Sequence, residues 1–132
     1  MKNLRKKYSV KSCVSKIWNA LTVSDEIEKW TGTPAKMDGK KGTKFKLWDG
    51  DVFGKNKEMV KNKRIVQEWY GGKWRKPSIV TIEILSNGIR GNSKILLKQE
   101  NIPEEEFDGI NKGWDDYYFH PLREYLEQNK LL

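Results

Sequence analysis

The sequence predicts an α+β domain: a curved antiparallel sheet of about six or seven strands, two short helices and one long C-terminal helix. Two observations carry this prediction. Between residues 44 and 100, short segments of alternating apolar and polar residues follow one another and are separated by turn signals, as in antiparallel strands. The segment 113–128 instead repeats its apolar residues at helical spacing.

The first part of the chain is predicted to hold one strand and two short helices. Residues 4–11 form an edge strand with lysines on its solvent side. The helix that follows is capped by Ser12 or Ser15. Its apolar residues recur at helical spacing: Val14, Ile17, Trp18 and Leu21. A second helix opens at Ser24, whose hydroxyl is predicted to cap it, and turns Trp30 inward.

Further strands are predicted in the middle of the chain. They lie around 45–47 and over 51–60, 65–70, 80–85 and 95–99. Asp49-Gly50, between the first two of them, is a hairpin signal. Gly54 marks either a bulge or a close approach of another backbone. Because a twisted antiparallel sheet has one face to bury, these strands need an apolar cover.

The long helix supplies that cover. Its apolar residues recur at the spacing of one helix face: Trp114, Tyr117, Tyr118, Pro121, Leu122, Tyr125 and Leu126. A helix over 113–128 would be about 24 Å long, enough to cross a small domain. Pro121 removes the hydrogen bond to the carbonyl of Tyr117, so we predict a bend that fits the helix to the curved sheet.

Length and charge narrow the class of protein. The 132 residues are enough for one domain, placed at 1–132, and the net charge is +8. Residues 36–64 hold ten Lys or Arg and four acids, whereas residues 100–128 hold nine acids and two Lys or Arg. Nucleic-acid binding is disfavoured because the lysines are scattered along alternating strands and match no known motif. Two explanations of the uneven charge remain: a solvent-exposed surface without a partner, or a docking face for an acidic partner.

No cluster of reactive residues stands out. Cys13 is the only cysteine, which excludes an internal disulfide, and His120 is the only histidine. The two make no recognisable metal set or nucleophile pair. There is no phosphate-binding glycine loop and no apolar run of membrane-spanning length. The sequence therefore predicts no catalytic residue, metal or cofactor, and a non-enzymatic cytoplasmic protein is the expectation.

The aromatic residues are the one group in the sequence whose pattern suggests a functional site. Their rings would converge between sheet and helix, either as a plain core or as a pocket for an apolar or aromatic ligand. Gln67 and Gln99 lie in phase with the inward residues and could orient a ligand or bind internal water. The candidate ligand-binding residues are Trp30, Phe45, Leu47, Gln67, Trp69, Val80, Ile82, Ile95, Leu97, Gln99, Trp114, Tyr117, Tyr118 and Leu122.

Short motifs over nearly the whole chain resemble those of a known family. They are Ile17-Trp18-Asn19-Ala20-Leu21-Thr22, Trp30-Thr31-Gly32, Gly42-Thr43-Lys44-Phe45, Trp48-Asp49-Gly50, Asn62-Lys63-Arg64-Ile65-Val66-Gln67-Glu68-Trp69, and Gly113-Trp114 with Pro121-Leu122-Arg123-Glu124-Tyr125-Leu126. The ordered set resembles the domain homologous to the C-terminal part of activators of the heat shock protein 90 ATPase, in the START-like, or birch-allergen-like, helix-grip superfamily. The resemblance implies the order β-α-α-β-β-β-β-β-β-α, with the last helix held by the sheet.

Two functional hypotheses follow. The first is a non-enzymatic START-like binding domain that holds a hydrophobic small molecule between sheet and last helix, in a closed cavity of a few hundred Å3. The second, implied by the resemblance, is a co-chaperone-like domain that docks a chaperone or another acidic partner through its basic surface. Its candidate partner-binding residues are Lys40, Lys41, Lys44 and Lys46. A cyclase- or hydrolase-like activity, as in some START-like relatives, would need polar groups converging in the cavity.

Overall fold

A computed structural model describes residues 1–72, 74–88 and 91–129 and has the predicted α+β architecture. Six strands form one sheet, and the helices pack on one face of it. The strands are β1 (Lys2–Val10), β2 (Lys44–Leu47), β3 (Val52–Val60), β4 (Arg64–Gly71), β5 (Ser78–Ser86) and β6 (Ser93–Ile102). The helical segments are α1 (Val14–Thr22), α2 (Ser24–Thr31), α3 (Phe107–Gly113), a π-helical turn (Trp114–Phe119) and α4 (His120–Asn129).

The sheet has the order β1-β6-β5-β4-β3-β2, and every neighbouring pair is antiparallel. β1 therefore lies at one edge, as predicted, and β2 lies at the other. The family order predicted one more strand after α2 than the described residues form. The segment ahead of β2 contributes only an isolated bridge between Lys36 and Lys46, because it carries no alternation of apolar residues that a longer strand would bury.

The serines predicted to cap the first two helices do not cap them. α1 begins after Cys13 and α2 after Val23, and neither start has a capping side-chain hydrogen bond. Ser24 is already the first residue of α2, one position too late to cap it. Its hydroxyl instead accepts a hydrogen bond from the Met37 N–H at 2.8 Å and donates to the Met37 carbonyl at 3.1 Å. It thus holds the loop between α2 and β2 against the helix.

The core lies between the sheet and the C-terminal helical segment. Every second residue of β5 faces it, so that Val80, Ile82 and Ile84 are each at most 3% exposed. The helical segment contributes five buried residues: Trp114, Tyr118, Phe119, Leu122 and Leu126. Within the described ranges, no helix has both the length and the apolar character to span a bilayer.

The C-terminal helix is not the uninterrupted α-helix that the spacing predicted. Helical backbone runs from Phe107 to Asn129, but its middle is a π turn, in which the His120 N–H donates to the Asp115 carbonyl. The turn ends just before Pro121, which has no N–H to donate. Because π turns are a recognised cause of helix bending, the bend predicted at Pro121 stays a prediction with this turn as its physical basis.

Contacts with the edge strand hold the π turn in place. The Tyr8 hydroxyl donates to Asp115 Oδ1 at 2.6 Å, and Lys6 Nζ lies 2.9 Å from Oδ2. The hydrogen bond from Tyr8, followed by the contact with Lys6, lowers the pKa of Asp115. The Tyr8 ring also stacks on Phe119, with ring centroids 4.1 Å apart. β1 therefore fixes which side chains of the turn point into the core.

Candidate functional site

An aromatic groove of about 630 Å3 lies where the turn between β2 and β3 meets the C-terminal helical segment. Its lining residues are Thr33, Trp48, Asp49, Asp51, Val52, Trp69, Ile110, Gly113, Trp114, Tyr117 and Tyr118. A volume in this range suits a small organic molecule. The groove is open to solvent, so it differs from the closed cavity that the first hypothesis predicted.

Part of the predicted ligand-binding set lines this groove, namely Trp69, Trp114, Tyr117 and Tyr118. The remaining candidates are buried in the core: Trp30, Phe45, Leu47, Gln67, Val80, Ile82, Ile95, Leu97, Gln99 and Leu122. Their strands do turn them inward as the alternation predicted.

Tyr117 does not face the core as the helical spacing predicted. Its side chain is 68% exposed at the mouth of the groove, whereas Phe119, which lay outside the predicted stripe, is fully buried. The physical reason is the π turn, which holds one more residue than an α-helical turn and so advances the inward face by one position. The inward pair is therefore Tyr118 and Phe119.

Trp69, Trp114 and Tyr118 form the back wall of the groove. Ring centroids are 4.8 Å apart between Trp69 and Trp114, and 4.8 Å apart between Trp114 and Tyr118. Trp48 closes one side: its ring meets Trp69 at 71° and Tyr118 at 64°, with centroids 6.3 and 6.2 Å away. Such edge-to-face contacts are favourable for aromatic pairs, and they set the rings as walls that stand at steep angles to one another.

The two buried glutamines hold the indoles of the back wall. Gln99 Oε1 accepts a hydrogen bond from Trp114 Nε1 at 2.7 Å, and Gln67 Oε1 accepts one from Trp69 Nε1 at 2.8 Å. Each Nε2 donates to a further buried side chain: Ser78 (2.9 Å) for Gln99 and Asn56 (2.8 Å) for Gln67. Neither glutamine lines the groove. Their amides position the tryptophans, a role different from the two alternatives expected for them, which were to orient a ligand or to bind internal water.

The hydroxyl of Tyr118 has no hydrogen-bond partner among the described residues. The residue is only 4% exposed, and it lines the groove. Burial raises its pKa, so the group stays a protonated donor. Although the residue is buried, its hydroxyl oxygen is open to the groove, so it can donate a hydrogen bond to solvent or to a molecule bound there.

The turn in front of the groove was predicted as a hairpin signal and as part of a family motif, but not as a wall of a binding site. Trp48 and Asp49 both have positive φ, 49° and 56°, which is uncommon for residues other than glycine and especially for a bulky one. The Asp49 N–H donates to the Pro34 carbonyl at 3.0 Å and so secures the turn. The available signal for this wall was the tryptophan before Asp-Gly. The other unpredicted lining residues carry no signal because their elements meet only in the folded chain: Thr33, Asp51, Val52, Ile110 and Gly113.

The four candidate partner-binding lysines lie outside the groove lining and are all exposed. They are Lys40 and Lys41, ahead of β2, and Lys44 and Lys46, on it. Lys44 is paired with Lys55 across the ladder, and Lys46 is paired with Lys36 in the isolated bridge. Like charges that face each other in this way destabilise a sheet, although lysines on an edge strand also discourage unwanted strand pairing.

Comparison with known proteins gives a consistent result. The family model described as "Activator of Hsp90 ATPase homolog 1-like protein" matches residues 11–127. The chain is 26% identical over 108 residues to activator of 90 kDa heat shock protein ATPase homolog 1 of Homo sapiens, and 24% identical over 114 residues to homolog 2 of Mus musculus. These alignments cover 82% and 86% of this chain but only 32% and 34% of those proteins, so the chain spans about a third of the curated relatives' length.

Solved structures share the fold over nearly the whole chain. A crystal structure of an Hsp90 activator from Plasmodium falciparum has a TM-score of 0.84 at 25% identity, covering 91% of this chain and 92% of that one. The solution structure of the Aha1 dimer from Colwellia psychrerythraea has a TM-score of 0.82 at 19% identity, covering 96% and 97%. The second likeness concerns the fold alone. Together with the family match, these structures confirm the resemblance drawn from the sequence motifs.

Proposed function

Since the chain belongs to the family of activator of Hsp90 ATPase homolog 1-like proteins, we propose that it is a non-enzymatic binding domain whose aromatic groove holds a hydrophobic or aromatic small ligand. The observation that carries this proposal is the Tyr118 hydroxyl, which belongs to a buried residue, opens into the groove and makes no hydrogen bond to another described residue. The groove lining includes no histidine, cysteine or lysine, and we assign no reaction to it.

The composition of the groove supports this proposal. Its walls are tryptophan and tyrosine rings together with the aliphatic side chains of Val52 and Ile110. Ligand sites typically combine a mainly apolar lining with a few well-placed polar groups that fix orientation. Here the rings would provide the apolar contact area, and the Tyr118 hydroxyl would fix the orientation of a ligand that carries an acceptor.

We expect Tyr118→Phe to weaken ligand binding without destabilising the protein. The substitution removes a hydroxyl that has no partner among the described residues, so the free energy of unfolding should stay within about 0.5 kcal/mol of wild type. A ligand that accepts a hydrogen bond from the hydroxyl should lose about 1 kcal/mol of binding free energy, or roughly fivefold in affinity. A thermal-shift screen of lipids and aromatic metabolites finds the ligand, and tryptophan fluorescence titration gives the affinities.

The matched control is Tyr70→Phe. Tyr70 stacks on Phe53 with ring centroids 5.6 Å apart, and neither residue lines the groove. This variant should bind the ligand as wild type does. If no compound in the library raises the melting temperature or changes the fluorescence of the groove tryptophans, the small-molecule proposal fails.

A second candidate function is docking of a chaperone through the basic edge of the sheet. Two observations favour it: the similar human and mouse proteins are named as activators of the 90 kDa heat shock protein ATPase, and lysines face lysines on β2. The opposition of Lys44 to Lys55 and of Lys46 to Lys36 would be relieved by an acidic partner. The domain would then act as a co-chaperone-like module.

Reversal of Lys40, Lys41, Lys44 and Lys46 to glutamate should lower affinity for the cell's own heat shock protein 90 homologue by about tenfold or more. The loss should shrink as salt is raised, because salt screens exposed charges. Reversal of four exposed lysines elsewhere is the control for net charge: Lys7, Lys16, Lys61 and Lys94. Pull-down followed by calorimetry measures both variants. Absence of binding by wild type at low salt would contradict this second function.

A further inference from the structure

We infer that the groove selects an organic cation, in which an ammonium or guanidinium group is joined to an aromatic or apolar body. This inference rests on the proposed small-molecule function and names the chemical class of its ligand. It is carried by the charge of the lining, by the arrangement of the rings and by the unpaired hydroxyl at the back of the groove.

The charged residues that line the groove are both acids, Asp49 and Asp51. Neither carboxylate takes part in an ion pair or a side-chain hydrogen bond with any described residue, although the chain has 26 Lys and Arg. A net charge of +8 disfavours organic cations at most of the surface. The groove therefore presents local negative charge without an internal counter-ion, and a bound cation would supply it.

The rings next to these carboxylates suit the same ligand. Trp48 directly precedes Asp49 in the chain, and its ring stands at 71° to Trp69 and 64° to Tyr118. Rings inclined in this way form walls around a site, and the face of tryptophan is the best aromatic partner for an organic cation. An anionic ligand would meet both the ring faces and two carboxylates, which repel it.

The Tyr118 hydroxyl places the neutral part of the ligand. Tyr118 is 4% exposed, lines the groove and lacks a hydrogen-bond partner within the described part of the chain. The two carboxylates are on exposed residues of the turn, at the solvent side of the groove. The cationic group is thus expected at the mouth and the aromatic body against the back wall, where the hydroxyl can reach a polar atom of that body.

Three soluble probes of one shape test the charge preference: phenethylammonium, 2-phenylethanol and 3-phenylpropionate. We expect the cation to bind about tenfold more tightly than the neutral alcohol, and the carboxylate to bind most weakly. Calorimetry and tryptophan fluorescence follow the titrations. Added salt should narrow the difference between cation and alcohol, because the carboxylates are exposed.

The double variant Asp49→Asn with Asp51→Asn should lower the affinity for phenethylammonium by about tenfold relative to that for 2-phenylethanol and so remove the preference. Asparagine adopts the positive φ of Asp49 readily, so the turn is retained. Asp38→Asn, which neutralises an exposed acid outside the groove lining, should keep the wild-type preference. Equal binding of all three probes, or tightest binding of the carboxylate, would overturn the cation inference while supporting a small-molecule site. Failure of every probe to bind would overturn the cation inference, whereas the small-molecule function itself is decided by the ligand library.

Discussion

Phe119→Ala is expected to lower the free energy of unfolding by about 3–5 kcal/mol, whereas Tyr117→Ala, two residues earlier, is expected to change it by less than about 0.5 kcal/mol. Phe119 is fully buried and stacks on Tyr8 with ring centroids 4.1 Å apart, while Tyr117 is 68% exposed. Truncation of Phe119 therefore leaves a cavity behind it, and truncation of Tyr117 removes a side chain that lies mostly in water. Urea unfolding followed by circular dichroism measures both.

The two variants control for each other because each replaces an aromatic residue by alanine within the same helical turn. A difference in helix propensity cannot account for a gap of several kcal/mol, since such differences are about 0.7 kcal/mol at most for ordinary residues. If the segment were a regular α-helix, as the sequence predicted, Tyr117 would face the core and its truncation would cause the larger loss of stability. Equal losses, or a larger loss for Tyr117→Ala, would show that the π turn does not set the inward face.

The phase of this segment marks the limit of what the sequence predicted about the helix. The repeat of apolar residues correctly indicated Trp114, Leu122 and Leu126 as inward positions, because these lie on the same face on either side of the turn. It failed at Tyr117 and Phe119, because a repeat read at α-helical spacing cannot show an additional residue in one turn. That turn is stabilised by contacts with β1, which are distant in sequence.

For the groove, too, the sequence predicted some of the wall residues and not others. Trp69 and Trp114 could be placed near each other because strand alternation and helical spacing both turn them inward. Trp48 could not be assigned to a wall, because its direction depends on a backbone with positive φ that few tryptophans adopt. The open shape was equally unpredictable, since the volume left free depends on how completely the neighbouring rings pack.

Gly54→Ala is expected to be similarly damaging, with a loss of about 3 kcal/mol, at the upper end for an overfilled site. The sequence suggested a bulge or a close approach at this glycine, and the structure shows the close approach: a Cβ at Gly54 would overlap the carbonyl oxygen of Glu68 on β4 and lie 3.0 Å from the Phe45 ring. A carbonyl within a strand pair cannot rotate away as a side chain can. The alanine would force β3 and β4 apart beside Trp69, the residue with which Gly54 is in register.

Gly109→Ala supplies the control, since the same substitution at this position should raise the free energy of unfolding instead of lowering it. Gly109 lies inside α3, and a Cβ at this position meets no heavy atom within 4 Å. Alanine is favoured over glycine in a helix by about 1 kcal/mol, so this variant should be more stable than wild type. Urea unfolding of both variants separates the loss of space from the general entropic effect of removing a glycine. If Gly54→Ala were as stable as wild type, β3 and β4 could separate at little cost. That result would contradict the requirement for glycine where β3 lies against β4 and the Phe45 ring.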